Sequence, residues 1–400
     1  MNDTYDVIVS GARCAGSPTA LLLARAGHRV LLVDRATFPS DTPSTHVLHP
    51  PGVAALARWG LEGRLAATGC PPFTTYRFDF GPLVVSGSPG TAYCPRRTVL
   101  DKLLLDAAAE AGAEVREGFT VEEVLFDGER VVGIRGHDRG GRRVTERGRV
   151  VVGADGKHSR VAAAVGAPSY HERPMVEGAY YAYWSGVPVE QFELFIRPGR
   201  AMAAAPTHDG QTLVLAAWPA PEYDDVRVDV EGNFWATADL VPSLAERLRA
   251  GRRESRFHAS GHLPGFFRRP YGPGWALVGD AGYTVDPSTA QGISNAFRDA
   301  ERLAAALDDA LSGRRPYDDA LGACHRARDD EVLPMYDLTF RMATLEPPPP
   351  EMQQLLAAAA GSQDGMDAWA RMFAGVLPVP EFFAPDHVAR LFEAAAVPAG

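Results

Sequence analysis

The stretch that most constrains this chain is its beginning. Tyr5 to Ser10 reads YDVIVS, a short apolar strand, and Gly11-Ala-Arg-Cys-Ala-Gly16 follows as a glycine turn. Residues 15 to 26 are rich in Ala and Leu and read as a helix, with Gly27 as its stop signal. HRVLLVD, from His28 to Asp34, is a second buried strand. Strand, turn, helix and strand in this order make a βαβ opening, which commits the chain to a parallel sheet. The turn also carries chemistry. Gly11 permits a tight bend, Gly16 lets the helix pack closely on the sheet, and the helix start offers free N–H groups to a pyrophosphate. Asp34, at the end of the second strand, can accept hydrogen bonds from both hydroxyls of a ribose. Arg13 stands where the fingerprint has its middle glycine, so its side chain must point away from any phosphate. Alone, this motif does not separate a flavin dinucleotide from a nicotinamide one, and an ordinary glycine turn remains its bland alternative.

Two later segments repeat the theme of a buried strand ending in glycine and aspartate. Val150 to Gly156 reads VVVGADG and leads into an Ala-rich helix. Its plain alternative is a strand followed by an Asp-Gly turn. Ala276 to Gly282 reads ALVGDAG and continues through Asp286-Pro-Ser-Thr-Ala-Gln-Gly-Ile-Ser294 into a helix over 293–311. Asp280, at the end of this strand, can bond a sugar-chain hydroxyl. The amides around Gly292 and Ile293 point along a helix axis, where they would stabilise the negative charge of a reduced flavin near N1 and C2=O.

The three motifs together resemble the FAD/NAD(P)-binding family of para-hydroxybenzoate hydroxylase and geranylgeranyl reductase. The resemblance runs from residue 5 to about 320. It implies FAD held by Gly11, Ala12, Cys14, Ala15, Gly16, Asp34 and Arg35, and by Gly279, Asp280, Pro287, Gly292 and Ile293. It further implies that Arg97, which opens a helix, reaches the cofactor, that Val121 meets the adenine through its backbone, and that Asp155 lies near the pyrophosphate. There is no second glycine fingerprint, so NAD(P)H would dock transiently. The chain departs from the family at Gly-Asp-Ala-Gly-Tyr283, where relatives often read Gly-Asp-Ala-Ala-His. The Trp-x-Trp-x-Ile-Pro signature of flavin halogenases is absent, and neither lysine, Lys102 or Lys157, suggests a halogenase catalytic lysine, so halogenation is not expected.

The implied architecture is α/β: a doubly wound, Rossmann-like FAD-binding domain (1–70, 93–168 and 268–345) interrupted by a β-rich substrate domain. The interruptions are 71–92 and 169–267, and 346–400 is a helical C-terminal segment. Residues 165–265 show β-like alternation and read as a substrate-facing sheet. On it, Tyr181, Tyr183 and Trp184 are candidates to line a substrate pocket, against plain core packing. His46, in the polar loop after Asp34, and Tyr283, in the third motif, are the side-chain candidates for catalysis, and each has a packing role as its alternative. Cys14 sits at a helix start, which lowers a thiol pKa; burial against a cofactor is the expected outcome, with no reactivity.

Composition excludes more than it assigns. Hydrophobic residues make up 46% and charged residues 22% of 400 residues, enough to build a large core without disulfides. The net charge of -10 and the lack of a basic stripe argue against nucleic acid as a partner. Four scattered cysteines have no metal-ligand spacing, so no metal is expected. Two acids precede the first apolar run where a signal peptide would be basic, and no apolar run spans a bilayer, so a cytoplasmic protein is the expectation. The expected function is a monooxygenase using NAD(P)H and O₂ on an organic, aromatic or polycyclic secondary-metabolite substrate. The alternatives are a reductase or dehydrogenase of an isoprenoid or secondary-metabolite double bond, and a flavin-binding protein without turnover.

Overall fold

The computed structural model describes residues 4–260 and 263–396. Strand β1 (Tyr5–Ser10), helix α1 (Gly16–Arg25) and strand β2 (Val30–Asp34) form the expected opening unit. β1 lies at the centre of the main sheet. It pairs in parallel with β2 on one side and with the strand Arg143–Gly153 on the other. Trp275–Leu277 adds in parallel beyond Arg143–Gly153, and Glu114–Glu117 adds in parallel beyond β2. α1 packs against the helices Arg97–Glu110 and Gly292–Leu311, which bury their apolar faces on this sheet. β1 is covered on both sides, which is why it is a continuous apolar run.

Parallel pairing has one consequence for the site. The carboxyl ends of β1, β2, Arg143–Gly153 and Trp275–Leu277 emerge at the same end of the sheet. Gly11, Arg35, Ala154 and Val278 follow them there. A crevice at that end is where open parallel sheets bind ligands.

The second sheet is mostly antiparallel. Glu177–Ser185, Thr212–Pro219, Arg200–Pro206 and Phe192–Arg197 run side by side, and Phe192–Arg197 then pairs with Tyr76–Asp79 from early in the chain. Residues from both sequence interruptions therefore share one sheet. One face of it packs on helices Val230–Ala238 and Pro242–Ala250. The other face meets the C-terminal helices Pro350–Ala360 and Gln363–Phe373.

The helices within 223–250 depart from the all-strand reading of 165–265. Asp229 accepts a hydrogen bond from the Gly232 amide and starts one of them, and Pro242 fits the first turn of another. Phe234, Leu244 and Leu248 are buried on the helical face that meets the sheet. Their buried positions recur every three or four residues, a helical period that the strand reading overlooked. The helix Tyr317–Met342 also carries Pro334 inside it, a residue that ordinarily marks a boundary.

Candidate active site

A cleft of about 730 Å³ opens at the carboxyl end of the main sheet. Its walls come from all three glycine motifs. Gly11, Cys14 and Ala15 line it from the first turn, with Asp34 and Arg35 after β2. Asp155 lines it from the second motif and Val121 from the adjoining hairpin. Gly279, Asp280, Tyr283, Pro287, Gly292 and Ile293 line it from the third, and Arg97 reaches it from its own helix. Ala12 and Gly16 do not line it, and the Ala12 amide donates to Asp34.

The glycines at the turn answer to contact. A Cβ on Gly11, whose φ is +105°, would sit 2.3 Å from the Ala154 carbonyl oxygen, and one on Gly16 would sit 1.7 Å from the Gly11 carbonyl oxygen. Both are collisions with backbone that cannot rotate away. Asp34 locks the same turn: its carboxylate accepts from the Ala12 amide at 2.7 Å and from the Ala36 amide at 2.7 Å. Each oxygen keeps a second lone pair for a ligand.

Arg13 is held where the fingerprint's departure required. Its guanidinium donates to Asp101 at 2.6 Å and to Ser40 Oγ at 2.9 Å, and lies over the Phe38 ring. Asp101 is fully buried and also binds Arg97, through Nε at 3.1 Å and Nη2 at 2.9 Å. Burial works to lower the Arg97 pKa, but the Asp101 carboxylate beside it outweighs this and holds the guanidinium charged. Cys14 is buried, with its thiol donating to Asp101 at 3.3 Å, and that burial pushes its pKa well up.

Asp280 is exposed to the cleft but ringed by protein. Loss of bulk water raises its pKa, against the pull of Arg97 and Lys157. Asp155 caps the short helix after the second motif by accepting from the Arg160 amide at 2.8 Å.

Two helix starts face the cleft without a side-chain cap. α1 and the helix Gly292–Leu311 both lack a side-chain cap and an acidic residue in the first turn. Their leading N–H groups and positive dipole ends are suited to an anionic ligand. A Cβ built on Gly292 would meet no atom within 4 Å and would project into open space. The cleft thus combines anion-seeking helix starts, a carboxylate placed for ribose, and a cradle that a side chain would fill. That donor set fits an extended dinucleotide.

The loop residues proposed for catalysis sit differently. His46 is fully buried, with a positive φ of 64°, and lines neither this cleft nor the cavity described next. Its Nδ1 lies 2.6 Å from the Ser44 carbonyl, which can only accept, so Nδ1 carries the hydrogen. Nε2 then accepts from the Tyr183 hydroxyl at 2.9 Å. Burial lowers the His46 pKa to about 3, so the ring is neutral. His49, which sequence reasoning passed over, repeats the device. Nε2 donates to the Thr289 carbonyl at 2.9 Å and Nδ1 accepts from the Tyr76 hydroxyl at 2.7 Å. These two neutral histidines pin the loop 44–49 to the second sheet and to the Pro287–Thr289 segment. The separations of their partners in sequence leave no local signal.

Beside the cleft lies an apolar cavity of about 200 Å³. Leu213 and Leu215 of the second sheet line it, with Leu338, Met342 and Leu356 of the C-terminal helices. Thr45, Pro287 and Ala290 border both spaces, so cavity and cleft abut. Tyr181 and Tyr183 belong to the same core as this cavity but stand behind its wall. Trp184 points to the opposite side of the sheet, where it stacks on Phe234 at 5.8 Å. Tyr283 lines the cleft and stacks on Phe267 at 5.1 Å. Among the described residues no cluster of His, Cys, Asp and Glu could hold a metal, and no helix is long and apolar enough to cross a membrane.

Comparison with known proteins agrees with the cleft's chemistry. The family model described as "FAD binding domain" matches residues 4–331. Menaquinone reductase of Mycobacterium tuberculosis is 30% identical over 332 residues, covering 77% of this chain and 78% of that one. The phenazine 1,6-dicarboxylic acid hydroxylase PhzS of Lysobacter antibioticus is 29% identical over 387 residues, covering 81% and 90%. The solved structure of the myxobacterial chondrochloren halogenase CndH superimposes with a TM-score of 0.80 at 24% identity, over 98% of this chain and 96% of that one. That last likeness speaks for the fold alone.

Proposed function

The chain belongs to the FAD binding domain family and is an FAD-dependent oxidoreductase; from that premise we propose that it is a monooxygenase, using NAD(P)H and O₂ to hydroxylate or epoxidise an apolar, aromatic or polycyclic organic substrate. The observation that carries this reading is the apolar cavity abutting the cleft at Thr45, Pro287 and Ala290. A substrate seated there would lie against the cofactor end of the cleft and away from bulk water. The hydroxylase relative adds support.

When bound, FAD supplies the redox chemistry, taking hydride from NAD(P)H and delivering electrons to O₂. The residues of this chain bind, orient and exclude water. Asp34 would accept from the adenosine ribose, with Arg35 and Val121 beside it. The α1 start would face the pyrophosphate, with Arg97 and Asp155 to either side. Asp280 would accept from the sugar chain. The Gly292–Leu311 helix start, behind Pro287, would set N–H dipoles against negative charge at the far end. These donors are fixed by secondary structure, so they need no reorganisation as charge develops.

Asp280→Ala tests the placement. The carboxylate faces the cleft, so apoprotein stability should hold. FAD affinity should fall roughly tenfold to hundredfold, the worth of a hydrogen bond to a charged group. Wild-type affinity, measured by fluorescence titration, would move the sugar chain elsewhere.

A second reading, a reductase of an isoprenoid or secondary-metabolite double bond, draws support from the menaquinone reductase relative. The two part on oxygen. NADPH should bleach the flavin bands without air, and air should restore them. A product one oxygen atom heavier than its substrate supports the monooxygenase. A product two hydrogens heavier, formed equally well without air, supports the reductase.

A further inference from the structure

One buried pair of acids is not used by any step above. Glu177 and Asp286 lie at the seam between cleft and cavity. Glu177 starts the strand Glu177–Ser185, on the face that carries Ala179, Tyr181 and Tyr183 towards the C-terminal helices, and it lines the apolar cavity. Asp286 opens the Pro287–Thr289 turn and lines the cleft. Glu177 is 5% exposed and Asp286 0%.

Their hydrogen bonds are unevenly met. Asp286 Oδ1 accepts from the Ser288 amide at 3.0 Å and from the Ser288 hydroxyl. Asp286 Oδ2 is buried and has no donor. Glu177 and Ser288 line the same cavity, and Ser288 is the residue that Asp286 binds, which brings the two carboxyls to one seam. Two carboxylates cannot hydrogen-bond one another, because neither donates. Two unpaired charges buried beside an apolar cavity would cost many kcal/mol, on the order of several per ion. One proton between them removes one charge and supplies the missing donor. Burial raises both pKa values, and the charge of Asp286 raises that of Glu177 further, in the direction the geometry requires.

We propose that Glu177 and Asp286 hold one proton between them and form the polar anchor of the apolar cavity, recognising a neutral hydroxyl group on an otherwise apolar ligand. The pair keeps one negative charge, which prefers an O–H donor and repels a carboxylate. Glu177, the member that lines the cavity, presents its second oxygen as the acceptor, and Asp286 behind it holds the shared proton. This rests on the reading of the cavity as the substrate site and narrows its occupant. A hydroxyl anchored at the seam fixes which part of the substrate meets the cofactor, so the pair would set regioselectivity.

The test uses the FAD-loaded protein and two matched ligand pairs: 2-naphthol against naphthalene, and geraniol against the corresponding hydrocarbon without the hydroxyl. Binding is read from the perturbed flavin spectrum, with 2-naphthoate as the anionic control. Within at least one pair the hydroxyl compound should bind roughly tenfold to hundredfold more tightly. 2-Naphthoate should bind more weakly than 2-naphthol. Infrared difference spectroscopy of the unliganded holoprotein should show a protonated carboxylic acid band near neutral pH that is lost in Glu177→Gln. In that variant the Gln amide donates to Asp286 as the protonated acid does, so the hydroxyl preference should persist, whereas Glu177→Leu removes the acceptor and should abolish the preference while hydrocarbon affinity holds. Equal binding of naphthol and naphthalene, with no geraniol preference, would overturn the anchor but leave an aromatic substrate in place. Geraniol preferred with both aromatics excluded would keep the anchor and sink the aromatic reading. Binding of none of the four would overturn both. Should either variant not fold, the wild-type band and the four affinities still decide, and absence of the band overturns the shared proton.

Discussion

Asp101→Ala should destabilise the protein by about 3–5 kcal/mol, the cost of breaking a buried ion pair from one side. Asp101 is fully buried and is the shared acceptor of two guanidinium groups, Arg13 and Arg97. Its loss strands Arg97, itself 8% exposed, without its nearest countercharge. Arg13 is partly exposed and would recover water, so most of the cost falls on Arg97. The damage should reach the cofactor as well, because Arg97 lines the cleft and Arg13 would be released from its tether beside the glycine turn. Asp101→Asn separates charge from shape. It keeps one oxygen acceptor and the packing, and should fall between wild type and alanine. Denaturant midpoints on the apoprotein, followed by FAD titration, check both effects. Equal stability of all three proteins would show that the two arginines find other partners, and the account of Arg13 would then fail.

Asp101 also shows what the sequence withholds. Arg97 and Asp101 are one helical turn apart, a spacing readable from sequence. The contact to Arg13, on another element, is not. The same division runs through the molecule. The opening βαβ unit, the Gly153–Gly156 turn and the Gly279–Ile293 loop were legible because each signal is short and local. Parallel topology then brings strand ends together without further information. The histidine clamps were not legible. His46 meets Tyr183 and His49 meets Tyr76 only after two sheets have docked. The Glu177–Asp286 contact joins a strand of one sheet to a turn following another. Trp184 is a different lesson. Successive strand residues face opposite sides, so Tyr183 and Trp184 cannot line one pocket. Period two alone would have separated them. The helices between 223 and 250 were legible but missed: Phe234, Thr237 and Ala238, then Leu244 and Leu248, recur at the three- and four-residue spacing of a helix.

Gly16→Ala and Gly292→Ala make the sharpest contrast, since both add one methyl group at a helix start facing the same cleft. At Gly16 the new Cβ would stand 1.7 Å from the Gly11 carbonyl oxygen and 2.9 Å from its carbon. No rotamer relieves a clash between Cβ and backbone, so the turn itself must move. Gly11 cannot yield easily, because its own position is set by contact with Ala154. The expected cost is about 3 kcal/mol or more, with loss of retained flavin. At Gly292 no protein atom lies within 4 Å of the added Cβ. Apoprotein stability should hold or rise slightly, since alanine is the better helix former. The methyl would instead enter the space assigned to the cofactor, and FAD affinity should drop about tenfold to hundredfold. Thermal unfolding of the two apoproteins and FAD titration of both read the effects separately. A Gly292→Ala protein that binds FAD as wild type does would mean that this helix start stands off the cofactor. Its N–H dipoles would then be too distant to stabilise charge there, and Asp280 and Arg97 would have to carry that end of the site.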